Sequence, residues 1–204
     1  GGDLGLIARY GIGYSSVDID AARDAGVTVA NAPGANALPT AEWVVANLLD
    51  IAGRRTPHHE RAGAGMRKTG PSRLDVTGKT LGVIGAGNVG KNVVDLMGGF
   101  HMKVYASANH PNDSWAQEKQ VTYTSNAEIC EKADFISVNA SAKERIIGKE
   151  EIERMSPTTV LVNCARGALV DNREVYRAVK EGRLWGYGID EVWERHLAER
   201  LHIW

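Results

Sequence analysis

Cysteine is scarce in this chain of 204 residues, which contains only Cys130 and Cys164. Each lies among apolar neighbours, a setting typical of buried free thiols in proteins of reducing compartments. We prefer this interpretation to a disulfide between the two residues. The sequence therefore predicts two unpaired thiols and a cytoplasmic protein.

An excess of one charge and a long apolar segment are also missing. The chain has 24 basic and 25 acidic residues, so its net charge is -1, and no basic stripe of the kind that binds nucleic acid is present. No apolar run approaches the roughly 20 residues that a membrane-spanning helix needs. Residues 1–6 lack the positive and apolar regions of a signal peptide. We therefore expect partners that are neither nucleic acid nor membrane.

Glycine, by contrast, is abundant, with 23 residues, above the average share of about 7%. Apolar residues alternate between strand and helix periodicity along the chain, and strands that alternate with helices form a parallel sheet covered on both faces. The sequence therefore predicts an α/β fold with a doubly wound parallel sheet of the Rossmann type. The predicted strands are 4–9, 27–30, 80–84, 102–106, 121–123, 135–138, 159–163 and 187–189. The predicted helices are 17–25, 40–54, 88–98, a segment around 116, 126–132, 149–154 and 173–181. Residues 53–73 are predicted to be irregular.

A glycine-rich turn connects the predicted strand 80–84 to the predicted helix 88–98. Its first glycine permits a sharp turn, its second lets the backbone approach a pyrophosphate, and its third lets the helix pack closely on the strand. The N-terminus of the helix offers N–H groups and the positive end of its dipole to phosphates. We prefer a dinucleotide site here to a tight turn without a ligand. Its predicted residues are Gly85, Gly87, Asn88, Val89 and Gly90.

One element of a typical NAD site is missing. Most such sites place an acidic residue about 20 residues after the glycine turn, at the end of the second strand, where it binds the ribose hydroxyls. Here Ser107, Ala108, Asn109 and His110 follow that strand, and no acid occurs before Asp113. Ser107 and Ala108 are therefore the candidates for the ribose position. Because small neutral residues would not repel a 2′-phosphate, we expect NAD and leave NADP open.

The sequence resembles the D-isomer-specific 2-hydroxyacid dehydrogenases over nearly its whole length, and five segments carry this resemblance. The most specific segment runs from Asn163 to Asp171, Asn-Cys-Ala-Arg-Gly-Ala-Leu-Val-Asp. The others are 9–18, 31–42, the glycine turn and 181–190. The resemblance implies that residues 1–33 are the last βαβ unit of a substrate domain and that 34–204 are the cofactor domain. It places the active site in the cleft between them.

In this family, hydride passes between a nicotinamide and the α-carbon of a small 2-hydroxy or 2-keto acid. The resemblance assigns Arg166 to the substrate, because a guanidinium stays charged and grips a carboxylate with two parallel hydrogen bonds. It assigns Asp190 to the nicotinamide carboxamide, and Cys164 and Ala165 to the cofactor side of the cleft. We interpret the Cys164 thiol as a packing group rather than a nucleophile.

The family also uses a histidine as acid and base and a glutamate that orients it. The glutamate belongs to a Glu-Pro pair after the aspartate that Asp190 matches, and this pair is missing in the present sequence. The candidates are therefore Glu194, the nearest carboxylate, and His202, two residues before Trp204. An ordinary terminal surface residue is the alternative for each.

Two further expectations follow from the resemblance. One is a homodimer around the helix 40–54, where Trp43, Val44 and Leu48 offer more apolar surface than one small domain readily covers. The other concerns function, for which three possibilities stay open. They are an oxidoreductase, a dinucleotide-binding module without turnover such as the corepressors of this family, and an interaction protein with an empty glycine turn. The intact glycine turn, Arg166 and Asp190 favour the first two.

Overall fold

A computed structural model describes residues 3–14, 16–66 and 72–190 of the chain. The first part is a small parallel βαβ unit made of β1 (Leu6–Ala8), α1 (Ile19–Asp24) and β2 (Thr28–Ala30). Asp18 caps α1, since its carboxylate accepts a hydrogen bond from the Ala21 amide. Both strands are largely exposed, so this unit contributes little to the core.

The second part is a parallel sheet of six strands with helices on both faces. The order β5-β4-β3-β6-β7-β8 is that of a doubly wound Rossmann sheet, which confirms the predicted fold class. The strands are β3 (Thr80–Ile84), β4 (Lys103–Ser107), β5 (Val121–Tyr123), β6 (Phe135–Val138), β7 (Val160–Asn163) and β8 (Gly186–Ile189). The helices are α2 (Ala37–Gly53), α3 (Arg55–Gly63), α4 (Asn88–Met97), α5 (Asp113–Lys119), α6 (Asn126–Lys132), α7 (Lys149–Arg154) and α8 (Asn172–Lys180).

The core lies on both sides of the central strands. Every residue of β6, β7 and β8 is buried, as expected for parallel strands covered on two faces. The long helix α2 covers one face, and it approaches β8 closely because that strand carries glycines. A Cβ on Gly186 would lie 2.4 Å from Cγ2 of Ile51. The Trp185 indole also donates a 3.0 Å hydrogen bond to the Ile51 carbonyl.

The packing of α2 corrects one expectation from the sequence. Val44 and Leu48 are fully buried within the chain itself, and Trp43 packs partly buried against the same core. The helix already covers the sheet, so Val44 and Leu48 offer no surface to a second copy. The apolar-surface argument for a dimer was therefore wrong for these two residues.

The prediction that 53–73 is irregular was wrong in its first half. Helix α3 occupies Arg55–Gly63 and follows Arg54, whose left-handed backbone (φ 46°) separates it from α2. None of its residues is buried. Because a helix without an apolar face has no hydrophobic period, the sequence pattern contained no signal for it.

Both cysteines are unpaired, as predicted. Cys130 is completely buried on α6, and burial raises the pKa of its thiol to about 12. No helix among the described residues is long and apolar enough to cross a membrane.

Candidate functional site

The candidate site lies along the edge of the six-stranded sheet where the strands end. All six strands are parallel, so the segments that follow them meet at this edge. The glycine turn follows β3, Ser107 ends β4, and Cys164 follows β7. The chain crosses between the two halves of the sheet at β3 and β6, which is the place where open α/β sheets bind ligands.

The glycine turn has the geometry of a cradle. Gly85 has φ +97°, and a Cβ there would lie 2.6 Å from Cα of Ala140. A Cβ on Gly90 would lie 2.4 Å from the carbonyl oxygen of Gly85, so the helix must meet the turn without a side chain. Gly87 differs, because nothing lies within 4 Å of a Cβ placed on it. The first and third positions thus have no room for a side chain, whereas the second faces open space, as the approach of a pyrophosphate requires.

The turn is held by the neighbouring strand. The carbonyl oxygen of Ser107 accepts hydrogen bonds from the Gly85 amide at 3.0 Å and the Ala86 amide at 2.9 Å. Helix α4 then begins at Asn88 with Gly87 as its N-cap, which has no side chain to occupy the first amides. Those amides and the positive end of the helix dipole therefore face the open side of the turn.

The side chain of Ser107 points to a residue that the sequence pattern did not identify. Its hydroxyl donates a 2.6 Å hydrogen bond to Oδ1 of Asn126, the first residue of α6. Ser107, Ala108 and Asn126 are all half-buried. A neutral pair therefore occupies the position where most NAD sites carry a carboxylate.

Arg166 follows β7 and is exposed. Its Nη2 atom lies 3.4 Å from the place where a Gly13 side chain would begin, so the loop after β1 forms the facing wall. That loop is fixed by Arg9, whose Nε donates to the Gly13 carbonyl at 3.0 Å. The structure thus brings together two of the segments that carry the family resemblance, 9–18 and 163–171.

Two side-chain amides hold the backbone around Arg166. Nδ2 of Asn163, a fully buried residue, donates to the Arg166 carbonyl at 3.1 Å, and its Oδ1 accepts from the Ala165 amide at 3.0 Å. Nδ2 of Asn172 donates to the Gly167 carbonyl at 2.9 Å. Two side-chain amides therefore fix consecutive carbonyls, and with them the backbone from which the Arg166 side chain extends.

Cys164 lies in this edge but is not activated as a nucleophile. Its Sγ donates to Oδ1 of Asn139 at 3.0 Å. Burial, and then the nearby charge of Asp190, raise the pKa of the thiol to about 12. Asn139, directly after β6, was missed by the sequence analysis. The predicted end of that strand beside the glycine turn was the signal that could have found it.

The remaining predicted residues have different outcomes. Asp190 is exposed directly after β8, and its amide donates to the Asn163 carbonyl at 3.1 Å. Glu194 and His202 lie outside the described residues, so their roles stay predictions. Within the described ranges no group of histidine, cysteine and acidic side chains has the arrangement of a metal site.

Comparisons with known proteins match this geometry. Residues 45–204 match the family described as D-isomer specific 2-hydroxyacid dehydrogenase, NAD binding domain. A glyoxylate reductase of Korarchaeum cryptofilum is 32% identical over 195 residues, which cover 92% of this chain and 59% of that protein.

Solved structures agree. The Granulicella formate dehydrogenase superimposes with a TM-score of 0.84 at 29% identity, over 95% of this chain and 54% of that one. A D-lactate dehydrogenase from Aquifex aeolicus, complexed with NAD and lactic acid, gives a TM-score of 0.82 at 28% identity, over 97% and 60% of the two chains. The chain thus spans between half and two thirds of the length of these relatives.

Proposed function

Because the chain belongs to the D-isomer-specific 2-hydroxyacid dehydrogenase family, we propose that it is the cofactor-binding part of an oxidoreductase. The reaction is the transfer of a hydride between a nicotinamide dinucleotide and a small 2-hydroxy or 2-keto acid. One observation carries the proposal: Arg166 and the glycine turn lie at the same edge of the sheet, with the Gly13 loop opposite the arginine. A cationic group beside a dinucleotide cradle suits an anionic substrate.

Arg166 is the group that binds the substrate in this proposal. Its guanidinium holds the carboxylate with two parallel hydrogen bonds and polarises the neighbouring carbonyl. Asn163 and Asn172 keep its backbone in place.

When bound, the nicotinamide supplies or accepts the hydride. Asp190, after β8, would hold the carboxamide of that ring, and Cys164 and Ala165 would line the cofactor side of the cleft. The protonated thiol of Cys164 acts there as a packing group. The fit of the glycine turn to a pyrophosphate rests on the open space at Gly87.

Proton transfer in this proposal depends on residues after Asp190. The family resemblance points to His202 as the acid and base and to Glu194 as the group that orients it and raises its pKa. The Glu-Pro pair that normally marks the glutamate is missing.

We further propose that residues 1–33 belong to a substrate domain and 34–204 to the cofactor domain. The position of the small βαβ unit, with its Gly13 loop facing Arg166, supports this division. A cytoplasmic homodimer that binds neither nucleic acid nor membrane stays our expectation. NAD is the proposed cofactor, with NADP acceptable because the ribose position carries no carboxylate.

A second candidate function is a dinucleotide-binding module without turnover. The missing Glu-Pro pair favours it, because without that glutamate the histidine lacks the partner that orients it and raises its pKa. We expect this chain by itself to reduce keto acids poorly or not at all.

The cofactor site is tested with Gly87→Val. The added side chain has room in the protein but would fill the space for the pyrophosphate, so Kd for NADH should rise by about a hundredfold or more, near 3 kcal/mol. Gly99→Val is the matched control, since its Cβ also meets nothing within 4 Å and it lies past the other end of α4. Fluorescence titration with NADH measures both. Equal binding by the two variants would place the site elsewhere.

Turnover separates the two candidate functions. NADH oxidation is measured with glyoxylate, hydroxypyruvate and 3-phosphohydroxypyruvate for the wild type, Arg166→Ala and His202→Ala. Binding of NADH without turnover supports the module. Robust turnover that His202→Ala abolishes would show that the catalytic histidine is present and that our expectation of poor activity is wrong.

A further inference from the structure

We propose that Asn126 determines how the chain discriminates between cofactors with and without a 2′-phosphate. The inference rests on the proposed dinucleotide site. It adds a residue from a different helix, 19 positions from the end of β4, that neither the glycine turn nor any other motif identifies.

The position of Asn126 follows from two contacts of Ser107. The carbonyl of Ser107 holds the amides of Gly85 and Ala86, so this residue is fixed against the turn that fits the pyrophosphate. Its hydroxyl donates to Oδ1 of Asn126 at 2.6 Å. In a Rossmann sheet, the residue at the end of the second strand lies beside the adenosine ribose. Asn126 is therefore one hydrogen bond away from that position.

The chemistry of the pair is neutral and offers both donors and acceptors. The Ser107 hydroxyl donates its hydrogen bond to Asn126. Its oxygen therefore retains lone pairs that can accept a hydrogen bond from a ribose hydroxyl. The amide of Asn126 has two N–H donors besides the oxygen that Ser107 occupies. A 2′-hydroxyl finds an acceptor here, and a 2′-phosphate finds donors and no opposing charge.

The nearest acidic residue on α6 does not change this balance. Glu128 accepts hydrogen bonds from Thr124 and from Lys132, and these contacts lower its pKa, with Lys132 the larger cause. Its carboxylate is thus charged but paired with a lysine of the same helix. The charge of the side chain at position 126 therefore determines whether the ribose position repels a 2′-phosphate.

Asn126→Asp tests the assignment with almost no change in shape. Ser107 can donate to the new carboxylate as it does to the amide, but the negative charge now opposes a 2′-phosphate. We expect the ratio of Kd for NADPH to Kd for NADH to rise by about tenfold or more. Gln117→Glu is the control, because it makes the same charge change on the exposed surface of α5.

Asn126→Ala supplies an independent arm that removes the donors without adding charge. This substitution should raise Kd for NADPH by a few fold and leave Kd for NADH within about twofold of the wild type. Fluorescence titration gives both constants, and thermal unfolding verifies that each variant folds. A ratio for Asn126→Asp within twofold of the wild type, with both cofactors bound, would overturn the role of Asn126. A wild type that binds neither cofactor would instead overturn the proposed function, and this assignment with it.

Discussion

The two sheets of this chain are both built from parallel βαβ units, but only the strands of the larger one are buried. In the six-stranded sheet, helices cover both faces and β6, β7 and β8 are buried throughout. In the two-stranded unit, Leu6 remains 55% exposed and Tyr10 is fully exposed. The difference shows that a βαβ unit forms from local signals, whereas a core requires neighbours on both faces. Stability should therefore reside almost entirely in the larger sheet.

The largest expected effect tests that division with the same substitution in both regions. Leu161→Ala, in the fully buried β7, should lower the free energy of unfolding by about 3 kcal/mol, since it removes packed methyl groups and leaves a cavity. Leu6→Ala, in β1, should change it by less than about 0.5 kcal/mol. Urea unfolding followed by circular dichroism measures both. Similar losses would mean that the small unit shares the main core.

An intermediate effect comes from pH, because both cysteines belong to the larger region. The Cys130 thiol has a pKa of about 12 in the folded protein against an ordinary value of 9.0. Above about pH 9 the unfolded chain releases this proton while the folded protein retains it, so stability falls as pH rises. Between these two pKa values, each pH unit should lower the free energy of unfolding by roughly 1 kcal/mol.

Unfolding at pH 8 and pH 10 checks this, with Cys130→Ala as the comparison. The variant is less stable at both values, but its decline between them should be smaller. If the decline is identical in the two proteins, Cys130 does not titrate as described.

The smallest effects should come from surface ion pairs, which do not distinguish the regions. Arg145 pairs with Asp171 at 2.8 Å in the larger region, and Arg23 pairs with Asp20 at 2.7 Å in the smaller one. Arg145→Ala and Arg23→Ala should each cost less than about 1 kcal/mol, because exposed pairs are solvated and screened. Thermal unfolding at low and at high salt measures this. A loss above about 2 kcal/mol for Arg145→Ala would show that its loop stabilises the larger sheet.

Sequence patterns predicted elements well where an element packs on the core of the larger sheet. The strand Thr80–Ile84 and the helix Asn126–Lys132 have the predicted bounds. The pattern missed Arg55–Gly63, because no residue of that helix is fully buried. The sequence pattern therefore predicts the elements that pack on the core of the larger sheet, and it fails for a helix that does not.

The site divides in the same way. The glycine turn was visible because its three glycines occur at a fixed spacing between a strand and a helix. The approach of Gly13 to Arg166 and the bond between Ser107 and Asn126 join residues far apart in the chain. Such contacts depend on the order of strands, which a single sequence does not display. Conversely, no Glu-Pro pair follows Asp190 to mark the glutamate, so Glu194 and His202 stay predictions.

The common direction of the six strands has a practical consequence. Turns that precede a strand lie at the edge opposite the candidate site, and four of them, at Gly78, His101, Gln120 and Gly182, are exposed with a left-handed backbone. Exposed turns of this kind tolerate insertions and attachments. A fluorophore or a surface tether placed at Gln120 would leave the cofactor edge directed toward bulk solution. We therefore expect the chain, when immobilised at Gln120, to keep its proposed dinucleotide site accessible.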